Sequence, residues 1–423
     1  MKHSWPLCYL VLALVSVMPG QVQAAPPRDM LLELSELIQE ALAKNPEIQT
    51  ARNQWAAATE QIPQVTTLPD PTFSVQLWNF PQNGNLLTSP GRSQNTIYTL
   101  SQRFPFPGKL PLKGEVASRA ASMSEQVFRA KERELIGRLK QAYFELFFAN
   151  KDLQIHHEHV DLLKQLFETA KAKYRAGQVS QVDVLKAQVE LSNLYQRLPV
   201  LEQQRETTAA KVNTLLNRDP NGALGIPREP GATASYKPLD ELEHVALKSR
   251  PELKAAELAI ERHEQARAFA ERQYYPDFEF AVQRFQNFQA VDGFGAIASI
   301  NIPFSFWTKR KYDAGVREAK ASADAARAEH QTWQNLTRFQ ITELAAKVRA
   351  QQQVADLYRT TILPQAEQNL EAARAGYRTG RNAFLDVIEA ERALLEFRLA
   401  YYRALVEREH HVAALEQVVG PLM

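Results

Sequence analysis

The second half of this chain repeats its first. Leu37, Ala41-Leu42, Asn45-Pro46-Glu47 and Ala51 return as Leu242, Ala246-Leu247, Arg250-Pro251-Glu252 and Ala256, a shift of 205 residues (251 − 46). Further on, Tyr174-Arg175-Ala176-Gly177 and Asp183-Val184-Leu185 return as Tyr377-Arg378-Thr379-Gly380 and Asp386-Val387-Ile388, a shift of 203 (386 − 183). A near-constant shift over most of the chain means a duplicated unit of about 200 residues. Two copies in one chain impose internal pseudo-symmetry. That suits a ring, a tube or a paired scaffold better than a single catalytic cleft.

The first 24 residues read as a secretory signal: Lys2 is the charged start, Leu7 to Val17 the apolar run, and Val22-Gln23-Ala24 a small-residue cleavage site. Cys8, the single cysteine, lies inside that run, so the mature chain has no disulfide framework. No other stretch approaches the roughly 20 apolar residues of a membrane-spanning helix. A chain exported in this way crosses a membrane, if at all, as strands. The formal charge of +2 and the absence of a basic block argue against nucleic acid as a partner.

Each repeat reads helix, helix, strand pair, very long helix, long helix. The boundaries are 1–24 for the signal, 25–218 for the first repeat, 219–238 for a linker and 239–423 for the second repeat. In the first repeat a strand pair is expected over 72–104 and a helical hairpin over 113–217. In the second they fall over 277–303 and 309–419. The strand segments alternate with period two: Phe73, Val75, Leu77 and Asn79 against Thr72, Ser74, Gln76 and Trp78, and Phe278, Phe280 and Val282 against Glu279, Ala281 and Gln283. Thr96, Tyr98, Leu100 and Gln102 share one face of the second strand, and Ile97 starts the other. Segments of about 10 residues with this alternation fit transmembrane β-strands. A soluble hairpin with one buried face is the competing reading. Four strands cannot close a barrel, so the membrane reading requires an oligomer. The loops Phe80–Ser93 and Asn287–Gly293 are rich in Gly, Asn and Gln, as outward-facing tips should be.

From Lys113 to Tyr174 there is no proline, and about 60 helical residues extend roughly 90 Å. Apolar residues such as Leu135, Leu139, Ala142, Leu146, Leu153, Val160, Leu163 and Phe167 fall at spacings of three and four, close to a heptad. Lys309 to Tyr377 repeats the pattern, with a kink expected at Pro364. A long soluble coiled coil would explain the heptads but not the hairpins. Asp219–Pro238, with four prolines and three glycines, reads as an irregular connection.

These features together resemble the TolC-like outer-membrane efflux family over nearly the whole mature chain. The most specific pieces are Tyr174-Arg-Ala-Gly177 with Asp183-Val-Leu185, and Tyr377-Arg-Thr-Gly380 with Asp386-Val-Ile388. The stretch Phe104-Pro-Phe-Pro-Gly-Lys109 looks like the heavy-metal (CzcC/CusC-type) RND branch. The resemblance implies a mainly α fold with a small β part. It also implies a homotrimer that places a twelve-stranded barrel in outer-membrane lipid and a helical tunnel in the periplasm, with a periplasmic adaptor and an inner-membrane RND pump as partners. Its cargo would be Co, Zn, Cd, Ni, Cu or Ag; a drug-efflux or type I secretion duct shares the architecture. Tyr174, Arg175, Gly177, Arg378 and Gly380 would form adaptor-binding tips. Asp183, Tyr377, Asp386 and Glu389 would form the periplasmic aperture, where an acidic ring favours cations. Asn382, with Arg381 beside it, stands where the family's best-known member carries arginine. The bland readings are glycines that end any helix and acids favoured in a first helical turn.

His156 and His159, at i and i+3, could share a metal, although the spacing is not His-Glu-x-x-His. Exposed histidines on a long helix are the simpler reading, and the same holds for His410 and His411. No phosphate-binding glycine loop, nucleophile elbow or cysteine pair occurs, so neither enzyme activity nor a cofactor is expected.

Overall fold

The computed structural model describes residues 31–78, 95–231, 238–287, 291–303 and 305–421. The expected signal segment, the loop Phe80–Ser93 and Asn79 lie outside the described residues. The first repeat opens with β1 (Leu31–Leu32), α1 (Leu34–Lys44) and α2 (Pro46–Thr66). Strands β2 (Thr72–Trp78) and β3 (Asn95–Phe104) follow, then α3 (Lys109–Arg175) and α4 (Gln181–Leu215). After β4 (Ile226–Pro227) the order recurs as α5 (Leu239–Ser249), α6 (Pro251–Arg272), β5 (Phe278–Asn287) and β6 (Gly293–Ile300). The second helical hairpin is α7 (Lys309–Leu357), a π turn over Tyr358–Ile362, α8 (Leu363–Arg378) and α9 (Phe384–Val419).

The 67 residues of α3 reach about 100 Å at 1.5 Å each. The helix starts four residues before its sequence-based limit, because Pro111 falls in the first turn, where its missing N–H has no helical partner to lose. Two shorter helices run end to end along α3 in the opposite direction. Along α2, Trp55 stacks on Phe128 at 5.9 Å and Glu47 pairs with Arg138. Along α4, the Lys164 ammonium lies over Tyr195. Asn45 welds the two: its Oδ1 accepts from the Glu47 N–H at 2.8 Å, and its Nδ2 donates to the Leu215 carbonyl at 2.9 Å. One buried side chain thus satisfies both the first N–H groups of α2 and the last carbonyls of α4. The repeat uses different chemistry at the same place. Ser249 Oγ donates to the Val419 carbonyl at 3.0 Å, while buried Arg250 donates to Thr337 and Gln340 and lies over the Trp333 ring. The recurring x-Pro-Glu motif therefore marks the joint between two stacked helices.

Along the hairpins, apolar side chains form separate clusters. One gathers Leu135, Leu139, Leu146, Val212 and Val406 in mid-rod; another gathers Leu163, Ala187, Leu370, Phe384 and Val387 at the far end. Pro364 lacks the N–H that an α-helix needs at that point, and the π turn just before it takes up the mismatch. The described part of the linker is tied down where β1 pairs in parallel with β4, where Asn213 Nδ2 donates to the Pro220 and Gly222 carbonyls, and where Arg408 donates to the Gly231 carbonyl.

Strands β2, β3, β5 and β6 form one antiparallel sheet in that order. The register puts Phe73, Leu100, Val282 and Ala296 in one row and Ser74, Thr99, Gln283 and Gly295 in the next. Because side chains alternate across a sheet, one face is apolar and the other mostly polar. The apolar face is bare within the chain: Phe73 is 64% and Phe294 81% exposed. β2 and β6 are open edges whose ladder groups demand a partner. Among the described residues, no helix is long and apolar enough to cross a membrane.

Candidate functional site

At the end of each long helical segment the chain turns through a glycine. The Gly177 N–H donates to the Tyr174 carbonyl at 2.9 Å and the Gln178 N–H to the Lys173 carbonyl at 2.9 Å. The Gly380 N–H donates to Tyr377 at 3.2 Å and the Arg381 N–H to Gly376 at 2.8 Å. These are paired Schellman closures, and both glycines take the left-handed conformation that they require, with φ of 71° and 75°. Tyr174, Arg175, Arg378 and both glycines are exposed. The two turns sit side by side because Lys173, at the end of α3, donates to the Tyr377 and Arg378 carbonyls at 2.9 and 3.0 Å. A lysine on the last carbonyls of α8 also offsets the negative end of that helix. Nothing lies within 4 Å of a Cβ built on Gly177 or Gly380. Gly177→Ala and Gly380→Ala should therefore act through the backbone alone, each costing about 1–2 kcal/mol locally. Hydrogen exchange at the tip amides, faster in the variants and unchanged in the upper rod, would show it.

Of the four expected aperture residues, the structure brings two together. The Tyr377 ring is a core residue, 3% exposed and 5.2 Å from the Phe384 ring, with the Lys173 ammonium over its face. Its hydroxyl has no hydrogen-bond partner among the described residues. Burial, and secondarily the Asp183 charge, push this phenol up to about 12, so it is neutral at any physiological pH. Asp183 lies half-buried in the first turn of α4, a helix capped by Ser180 Oγ. Asp386 and Glu389 are exposed on α9. Asp386 Oδ2 accepts from the Ala383 N–H at 3.0 Å, so this acid also closes the start of its helix. Asn382 fills its own turn, and a Cβ on Gly376 would meet its side chain at 2.5 Å.

Two groups near the glycine turns escaped sequence reasoning. Arg392 of α9 donates to Glu190 of α4 from Nε, at 2.8 Å, and from Nη2, and so ties the two repeats together. The Arg392 guanidinium holds the Glu190 carboxyl below its usual range. No residue spacing signals this pair, since its members belong to different repeats. Lys173 was legible only as a basic residue in a last helical turn.

The histidine reading needs correction. His156 and His159 are buried, at 6% and 2% exposure, rather than displayed on the rod. His156 Nδ1 lies 3.0 Å from the Asp152 carbonyl, and His159 Nδ1 lies 2.5 Å from Glu391 Oε1 on α9. Each thus has its own acidic or carbonyl partner. The heptad pattern assumed one buried seam, but α3 is packed by α4 on one side and α9 on another, and the α9 seam takes in the His159 ring. Among the described residues, the trio whose ligand atoms fall within 4.8 Å is Glu145, Glu407 and His410. Arg403 is bonded to Glu145 and already compensates that charge.

At the opposite end, the Phe104–Lys109 stretch is a structural clamp. Gly108, at φ 92°, turns the chain from β3 into α3. Phe106 stacks on Tyr275 at 4.6 Å, and its N–H donates to Asp277 Oδ1 at 2.9 Å. Lys109, 3% exposed, donates to the same oxygen at 2.7 Å and to the Tyr275 carbonyl at 2.8 Å. The stretch therefore locks the strand-to-helix junction of the first repeat onto the second.

The Outer membrane efflux protein family model matches residues 37–218 and 242–421. The chain is 21% identical over 315 residues to the Cobalt-zinc-cadmium resistance protein CzcC of Cupriavidus metallidurans, covering 74% of each. It is 23% identical over 408 residues to Nodulation protein T of Rhizobium leguminosarum bv. trifolii, covering 92% of this chain and 85% of that one. The solved outer-membrane channel OprN superposes with a TM-score of 0.78 at 20% identity, over 92% of this chain and 89% of that one. One family model thus matches both repeats, and the fold carries the sheet and long helical hairpins of such a channel. The chain belongs to the outer membrane efflux protein family, as an outer-membrane channel that extends into the periplasm.

Proposed function

We propose that three copies of this chain form the exit duct of a tripartite efflux system that exports heavy-metal cations. The carrying observation is the sheet: one bare apolar face, one polar face and two open edges, joined to helical rods of about 100 Å. Three such sheets edge to edge would give twelve strands, close the edges and turn the apolar face to lipid. The six exposed glycine turns of a trimer would meet a periplasmic adaptor, and an inner-membrane RND pump would supply the energy. Asp183, Asp386 and Glu389 would ring the periplasmic aperture, with Tyr377 behind them. A ring of carboxylates in a constriction favours cations and suits metal cargo. CzcC, named for cobalt, zinc and cadmium resistance, supports that cargo. Nodulation protein T spans more of the chain, and its name carries no metal, so a drug-efflux or type I secretion duct is the competing reading.

Planar-bilayer recording of the detergent-extracted protein tests the duct. Small, cation-selective steps from a trimeric species are expected, whereas a water-soluble helical rod without conductance would leave only a periplasmic scaffold. Loss of cobalt, zinc or cadmium tolerance on deleting the gene tests the cargo. Unchanged tolerance together with lost drug tolerance or protein secretion would favour the competing duct.

A further inference from the structure

The two repeats differ in what covers the entry to their first strand. Phe73, Val75 and Gln76 stand in β2 where Phe280, Val282 and Gln283 stand in β5, a shift of 207 (280 − 73). By that shift, Pro69-Asp70 corresponds to Pro276-Asp277, and Leu68 to Tyr275. Around Asp277 the site is filled by Phe106 and Lys109. Around Asp70 it is empty. Asp70 has no hydrogen-bond or ion-pair partner among the described residues, and Leu68 is 44% exposed. With Pro63, Pro69 and Leu110 these residues line an open groove of about 670 Å³.

The reason is topological. β5 has a neighbour, β3, whose exit delivers Phe106 and Lys109 to Asp277. β2 also borders β3, but the β3 exit turns to Asp277, and as an edge strand β2 has no strand on its other side. At the other edge the situation is reversed. β6 exits into Phe306 and Trp307, packed on one another and 88% and 72% exposed. Just beyond, α7 opens on Lys309 as α3 opens on Lys109. Lys309 has no ion pair among the described residues. One edge therefore offers an unpaired acid in a groove of prolines and leucines that Lys113 also lines, and the other offers aromatic rings followed by a lysine.

We propose that Phe306, Trp307 and Lys309 of one copy dock into the Pro63–Asp70 groove of the next copy, with Lys309 paired to Asp70. The junction inside each chain would then recur between chains, alternating around the ring. This seam rests on the oligomeric duct proposed above.

The test uses the full chain, whose one cysteine, Cys8, falls in the expected signal. Asp70→Cys with Lys309→Cys, treated with a short bis-maleimide, should shift most of the monomer band to covalent trimer on a denaturing gel. Lys109→Cys with Asp277→Cys should link within one chain and stay at monomer mass. A second seam pair, Leu68→Cys with Trp307→Cys, should also give trimer and covers the case in which the first pair fails to assemble. Monomer bands from both seam pairs, while a lysine cross-linker still captures trimers of the parent, would overturn the seam and leave the duct standing. Protein that is monomeric by mass in detergent and by lysine cross-linking would remove the duct and the seam together.

Discussion

Asp277→Ala should destabilise the folded chain by about 3 kcal/mol. The variant leaves the Lys109 ammonium buried beside a carbonyl with no counter-charge, and it strands the Phe106 N–H. Losing one member of a buried pair costs about 3–5 kcal/mol, and the lower end applies because the Asp277 side chain keeps 23% exposure. Asp277→Asn retains an acceptor for both donors and should lose less. Burial pushes the Asp277 carboxyl up, but the Lys109 ammonium, the Phe106 N–H and the nearby Arg103 charge outweigh it and hold the group below its ordinary 3.8. A carboxyl lowered in the folded state stabilises fully above its unfolded value and loses that contribution as pH falls through the folded value. The parent and Asp277→Ala should therefore differ in thermal midpoint at neutral pH and converge in strong acid. Equal midpoints at neutral pH would show that the clamp holds nothing.

The second large effect belongs to the aperture. In Asp183→Ala/Asp386→Ala, single-channel conductance should rise severalfold over the parent and cation selectivity should fall, because the constriction loses both bulk and charge. Asp386 also caps α9, and losing such a cap costs about 0.5–2 kcal/mol. Asp386→Asn keeps an acceptor for the Ala383 N–H while removing the charge. A gain in conductance shared by the Ala and Asn forms assigns the effect to charge; a gain confined to the Ala form assigns it to a frayed helix. In Tyr377→Phe a buried hydroxyl without a partner is removed, so stability should hold or rise slightly. Conductance is then the readout that separates a gate role from a packing role. Unchanged conductance and selectivity in the double variant would remove these acids from the gate.

Much of this was legible in one dimension. The 203–207 residue shift carries the repeat, alternation at Phe73–Leu77 and Phe278–Val282 carries the sheet faces, and Gly177 and Gly380 carry the turns. The last two follow from local rules: strand period two, and positive φ at a helix end. The misread residues are those whose surroundings come from distant chain. His156 and His159 look exposed on a helix with one seam but are both buried, His159 against Glu391 of α9. Glu190 and Arg392 carry no spacing signal, since their contact joins the two repeats. Lys109 reads only as the last residue of the Phe104–Lys109 stretch, but its importance lies in Asp277, 168 residues away.

The sequence by itself determined the duplicated plan, because its two halves can be compared directly, and the strand and helix periods and the glycine-closed tips, because these depend on residues within a few positions of one another. Tertiary structure alone decided which acids keep a free charge, which histidines lose water and which strand edges stay open. Those outcomes depend on which helices and strands become neighbours, and no short-range pattern encodes that.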